Sequence, residues 1–216
     1  MKQTKVYNLL VVDESGSMEI IKQQTINGCN ETLQTIQSAQ EKYPEQNHLV
    51  TLVFFNSCET KTIVDCIPVS KTKPLNESNY NPNCNTPLFD ALGESLTRLR
   101  YKINQEEEHH VLVTILTDGE ENSSKEFNHR MINKMINELK KAGWTFTFIG
   151  ANIDVEKVAT QISVSNFISF EQTHEGTKAM FVREQSSRMN YFDKMSKGES
   201  KEKLSKDYFE ETSKAE

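Results

Sequence analysis

No run of roughly 18 or more apolar residues occurs in the chain, so the sequence offers no membrane-spanning helix. Met1 to Leu10 holds two lysines but no apolar h-region ahead of a small-residue cleavage site, and a secretory signal is not expected. Lys and Arg form no cluster. With 25 basic against 31 acidic residues the formal charge is -6, so the electrostatic footprint of a nucleic-acid binder is missing. Neither G-x-x-x-x-G-K-[ST] nor G-x-G-x-x-G is present, which removes the usual phosphate cradles. The four cysteines, Cys29, Cys58, Cys66 and Cys84, lack C-x-x-C spacing. They read as reduced structural thiols, with a Cys58–Cys66 bridge across a hairpin as the alternative. The expectation is a soluble, cytoplasmic protein with neither nucleic acid nor membrane as partner.

What is present fits one domain of 216 residues, long enough to bury a sizeable core. Val6 to Val12 is a short apolar run with the pattern of a strand buried on both faces, and it ends at Asp13. Beyond Ser17, Met18, Ile21, Thr25, Cys29, Leu33 and Ile36 recur at helical spacing until Pro44. His48 to Phe55 and Thr60 to Ile67 are β-branched and apolar around a short polar turn, which predicts an antiparallel hairpin. Pro68 to Asn85 is aperiodic and rich in Pro, Asn, Ser and Lys, a long surface loop. Thr86-Pro87 then opens a helix, with Thr86 as N-cap and Pro87 in the first turn, ending near Asn104. Val111 to Leu116 is a second buried strand finished by Asp118. Ser123-x-x-Glu126 reads as a capping box for a helix through Phe127, Met131, Met135 and Leu139, stopped by Gly143. Trp144 to Ile149 and Phe167 to Phe170 are further strands. A short helix capped by Asp154 lies between them, and Phe181, Gln185, Met189 and Phe192 line a final helix.

This alternation predicts an α/β fold: a Rossmann-like, doubly wound, mainly parallel sheet with one antiparallel edge strand and helices on both faces. Ligands of such sheets bind beyond the carboxyl ends of the strands. Asp13 and Asp118 both fall there, and Thr86 starts a helix at the same end. The loop after the first strand reads Asp13-Glu14-Ser15-Gly16-Ser17, an Asp-x-Ser-x-Ser pattern. Taken alone, the pattern is also what a helix N-cap cluster looks like. With Thr86 and Asp118 at the same edge it becomes a set of oxygen donors. Five such donors, without histidine or thiolate, suit a hard cation: Mg²⁺, with Mn²⁺ close behind. Ca²⁺ suits them less, because it takes more ligands.

Asp13-x-Ser15-x-Ser17, Thr86-Pro87 before a helix and Thr117-Asp118-Gly119 after an apolar strand resemble the three pieces of the metal-ion-dependent adhesion site of von Willebrand factor A (vWA) domains. The resemblance spans most of residues 5–191 in element order. It departs at Asn85, where the family often carries glycine. It implies that Asp13, Ser15, Ser17, Thr86 and Asp118 hold a divalent cation. It also implies that the cation takes an acidic side chain of a protein partner, that affinity can shift with the last helix, and that larger, ATPase-containing assemblies are a possible setting. On this reading residues 1–192 form the vWA-type domain, and 193–216 form a charged tail, helical or disordered.

The protein is then a binding module and not an enzyme. One alternative is a metal-dependent phosphohydrolase with Asp13 as nucleophile; against it, Ser15 stands where a second aspartate is expected, and no lysine or arginine lies in the motif loops. The other is a scaffold in which the metal is only structural. Glu120 and Glu121 read as a solvated loop, His109-His110 as surface residues, and Met131 with Met135 as core. In the tail, Leu204, Tyr208 and Phe209 form the apolar anchors, either on a solvated or disordered end or as one face of a docking segment.

Overall fold

The computed structural model describes residues 3–103, 108–151, 153–206 and 208–209. The chain opens with β1 (Thr4–Asp13), a 3-10 turn (Gly16–Ile21) and α1 (Lys22–Lys42). The hairpin β2 (Gln46–Phe55) and β3 (Thr60–Pro68) comes next, then α2 (Leu88–Lys102) and β4 (His109–Thr117). After these come α3 (His129–Lys141), β5 (Trp144–Gly150), α4 (Val155–Gln161) and β6 (Asn166–Ser169). The long α5 (His174–Ser196) and the single turn α6 (Lys201–Leu204) complete the described chain.

The strands lie in the order β3-β2-β1-β4-β5-β6, parallel throughout except for the β2–β3 pair, as the alternating pattern predicts. Because side chains alternate across a strand, β1 feeds two cores. Val6, Leu10 and Val12 meet α1 and α5 on one face, through residues such as Ile26, Leu33, Ile36 and Phe192. Tyr7, Leu9 and Val11 meet α2, α3 and α4 on the other, through Leu92, Leu96, Ile136 and Ala159. A central parallel strand covered on both sides must be apolar along its whole length, which is why β1 and β4 read as unbroken apolar runs.

Several local expectations change. Helix α3 starts at His129, not at the Ser123-x-x-Glu126 signature, and Asn128 caps it by accepting from the Arg130 and Met131 N–H groups at 3.1 Å each. The N–H groups just before it are taken from outside the helix. Asp90 accepts from Lys125, Glu126 and Phe127 at 2.7–2.9 Å, and Glu121 accepts from Ser123 and Ser124 at 2.9 and 2.7 Å. Glu121 is therefore a loop-fixing acceptor and not a solvated charge. In α3 the buried stripe is Ile132, Ile136 and Leu139, while Met131 is 45% exposed rather than core. His109 and His110 are buried as the first residues of β4 rather than lying on the surface. Helix α2 begins at Leu88 with Pro87 in the cap position and no side-chain cap, so Thr86 stands one residue outside the cap. It ends at Lys102, and Asn104 lies outside the described residues.

Past Asp193, α5 continues to Ser196, and Leu204, Tyr208 and Phe209 join the core on the α1/α5 face. Residues 207 and 210–216 lie outside the described residues. Among the described residues no helix is long and apolar enough to cross a membrane.

Candidate metal-ion site at the carboxyl edge of the sheet

From β1 the chain crosses to β2 on one side of the sheet, and β4 pairs with β1 on the other, so the strand order reverses between β1 and β4. At such a switch point the connections diverge to opposite faces and leave a crevice beyond the strand ends. The β1–β4 register sets Val12 opposite Leu116. Asp13 is the last residue of β1 and Asp118 the first beyond β4, so two residues 105 positions apart in sequence (118 − 13) share one rim by register alone.

Both carboxylates are buried, at 0% and 2% exposure. Burial pushes the Asp13 carboxyl up to about 6, against the lowering pull of hydrogen bonds from Thr117 and Ser15; the neighbouring Asp118 charge adds to the rise. Burial raises Asp118 as well, opposed by hydrogen bonds from Ser17 and Gln172. A buried pair of like charges is costly unless donors or a cation compensate it. The donors are in place. Asp13 Oδ1 accepts from the Ser15 N–H at 2.7 Å, and Oδ2 accepts from Thr117 Oγ1 at 2.5 Å. Ser17 Oγ donates to Asp118 Oδ1 at 2.7 Å and lies 3.2 Å from Ser15 Oγ. Thr86 belongs to the same cluster, because a methyl placed on Gly119 would stand 3.1 Å from Thr86 Oγ1 and 3.7 Å from Ser17 Oγ. Glycine at 119 is what allows that approach.

The loops carrying these residues are held from below. Glu14 is fully buried; it accepts from the Asn81 N–H at 2.6 Å and pairs with Lys61 at 3.0 Å. Tyr80 donates to the Asp13 carbonyl at 2.6 Å, and the Gly16 N–H donates to the Cys84 carbonyl at 3.0 Å. Cys84 is bonded to Cys58, which ties the loop ahead of Thr86 to the β2–β3 turn. This corrects the expectation of four reduced thiols, and equally the Cys58–Cys66 alternative; Cys29 and Cys66 are the free cysteines. Cys66 sits at the far end of β3 from the turn, beyond reach of Cys58 once the hairpin forms. The bond also removes the thiol argument for a cytoplasmic location.

The sequence motifs contain all five proposed donors, but not Gln172. Its side-chain Nε2 donates to Asp118 Oδ2 and, at 2.8 Å, to the Ser17 carbonyl. Nothing in its local sequence marks it, since it lies in the β6–α5 loop and reaches the rim only through the fold. Among the described residues no group of three or more His, Cys, Asp or Glu side chains is gathered for a metal, so a cation here would rest on two carboxylates and hydroxyls. That donor set fits a hard, oxygen-seeking dication. A hollow of about 650 Å³ lined by Leu96, Tyr101, Met135 and Trp144 lies by the start of β5, away from this rim.

The sheet order and the flanking helices give the chain a vWA-like α/β fold. No family model matches the chain. No curated protein matches either. Solved structures do. The chain is similar to the PilB minor pilin of Streptococcus sanguinis (TM-score 0.58, 13% identity, 87% of this chain and 62% of the pilin). It is similar to the SpRpn10 VWA domain (TM-score 0.54, 9% identity, 83% and 94%) and to manganese-loaded TRAP protein of Plasmodium vivax (TM-score 0.53, 18% identity, 83% and 72%). At these identities the likeness establishes the fold. The chain spans less than two thirds of the pilin's length.

Proposed function

We propose that the chain is a divalent-cation-dependent protein-binding module in which Asp13, Ser15, Ser17, Thr86 and Asp118 hold Mg²⁺, or Mn²⁺ in its place. The observation that carries this reading is the convergence of two buried carboxylates with a chain of hydroxyls at the switch point, the Ser17–Asp118 contact of 2.7 Å joining the two strands' loops. Five donors leave one position of an octahedral ion open, and because only two of the five are charged that position can take an anionic oxygen. An Asp or Glu of a partner protein supplies it. The manganese-loaded neighbour supports the choice of a divalent ion.

Phosphoryl chemistry is less well served. The groups bonded to Asp13 and Asp118 are hydroxyls, an amide and a backbone N–H, with no Lys or Arg clamp for a phosphoryl oxygen. Calorimetric titration with Mg²⁺ and Mn²⁺, followed by capture of partner proteins in Mg²⁺ or in EDTA, tests the proposal. Cation uptake and Mg²⁺-dependent capture, both lost in Asp13→Ala, are the expected result. Capture that is equal in EDTA would overturn the bridging role and leave the metal structural. Turnover of phosphate esters that disappears in Asp13→Ala would replace the binding module by an enzyme.

A further inference from the structure

Gln172 stands between β6 and α5, directly before Thr173, whose side chain caps α5 by accepting from the Gly176 N–H at 3.0 Å. Among the groups that meet its amide are the Asp118 carboxylate and the Ser17 carbonyl, both acceptors. Acceptors on both sides fix the amide with its nitrogen, not its oxygen, toward the rim. Asp118 is thereby engaged at both oxygens: Ser17 Oγ on Oδ1 and Gln172 Nε2 on Oδ2. An amide N–H cannot ligate a cation, and it occupies a lone-pair site on Oδ2 and part of the space beside it that a cation would use. Metal and amide therefore compete for Asp118.

We propose that Gln172 is a built-in competitor at this site: its amide and a cation contend for the Asp118 carboxylate, and cation binding releases the amide from Asp118. The inference rests on the metal-site reading above. Release from Asp118 breaks one of the side-chain links between the rim and the first turn of α5 and leaves the Ser17 carbonyl contact to hold the loop less firmly. The middle of that helix stays anchored, because Arg188 pairs with Glu184 at 2.6 Å and donates to Thr114 Oγ1 at 2.7 Å and Asn8 Oδ1 at 3.2 Å. The loosening is thus confined to the β6–α5 loop and the helix start.

Gln172 is half-buried in a loop, so its replacement leaves the core intact. Mg²⁺ and Mn²⁺ are titrated calorimetrically into the wild-type chain, Gln172→Ala and Gln172→Asn, whose amide is one methylene too short to reach. Hydrogen exchange of residues 170–177 is followed with and without Mg²⁺. Both variants should bind the cation more tightly, by roughly tenfold for the loss of one hydrogen bond to a charged group. Wild-type exchange in this segment should rise on Mg²⁺ addition toward, and not beyond, the level of metal-free Gln172→Ala. Equal or weaker affinity in both variants overturns the proposal, as does exchange that slows on Mg²⁺ addition. Absence of cation uptake by all three chains overturns the metal-site reading itself, a result distinct from uptake that is insensitive to residue 172.

Discussion

Thr117 shows what single side chains contribute at the rim. Its hydroxyl donates to Asp13 Oδ2 at 2.5 Å, and its Oγ1 accepts from the Gly119 N–H at 3.2 Å, so it orients one carboxylate and the turn that carries the other. Thr117→Val keeps the shape and deletes the hydroxyl. Calorimetry should then give Mg²⁺ binding about 10–100-fold weaker, the usual effect of losing a partner that orients a ligand; unchanged affinity would deny Thr117 that role. His48 carries a different consequence. It is fully buried, packs edge-on against Phe192 at 4.5 Å and lies 3.1 Å from Gln46 Oε1. Burial, helped by the Arg188 charge, lowers its imidazolium pKa to about 3. An unfolded chain takes up that proton near pH 6.5 and the folded one does not until about 3, so the stability held above pH 6.5 drains away as pH falls through this window. Between pH 7 and 5 this one group should cost roughly 2 kcal/mol, seen as a fall in urea midpoint that is smaller in His48→Asn. The oxygen donors proposed for a cation were legible in sequence because oxygen side chains suit hard cations and these sit at strand ends and a helix start. His48, Arg188 and Gln172 were not, since a buried polar residue and an exposed one look alike until the fold surrounds one of them.

At the scale of elements, local pattern located strands and helices, and long-range side chains moved their ends. The start of α3 shifted to His129 because the two N–H groups a capping box would have used are taken elsewhere, that of Glu126 by Asp90 in α2 and that of Ser123 by Glu121. The loop between β3 and α2 has little regular structure of its own: its only helix is a short 3-10 turn at Val69–Lys71. It is fixed by Tyr80, by Glu14 and by the Cys58–Cys84 bond across a separation of 26 residues. Closing a segment of that length restricts mainly the unfolded chain. Reduction by a dithiol, or Cys58→Ser, should therefore lower the unfolding free energy by roughly 3 kcal/mol in denaturant titration. An unchanged midpoint would mean that the hydrogen bonds of the loop suffice. Helix α5 is pinned by a fully buried ion pair, Arg188–Glu184, that reaches β1 through Asn8 and β4 through Thr114. Sequence periodicity placed Gln185 and Met189 on the inner face of this helix. They are only partly buried, because the face turns toward Glu184, Arg188 and Tyr191 to seat that charged group.

Across the whole molecule, the sheet gathers two buried carboxylates at one edge, and burial raises both; the proposed dication would relieve that cost. A cation that binds only the folded chain stabilises it by mass action, about 2.7 kcal/mol at a hundred times its Kd. Mg²⁺ at that level should raise the midpoint of thermal unfolding, EDTA should reverse the shift, and Asp118→Ala should abolish it; a midpoint blind to Mg²⁺ would count against the site. The sequence by itself determined the layered α/β architecture and the donor types, because burial on two faces demands unbroken apolar strands and hard cations demand oxygen. Only the tertiary structure decided that β1 pairs directly with β4, which makes Asp13 and Asp118 neighbours on that rim, that Cys58 meets Cys84 and that Gln172 reaches Asp118. Each of those contacts joins distant segments, and it is strand order and register, set by the packing of the whole sheet, that brings them within bonding distance.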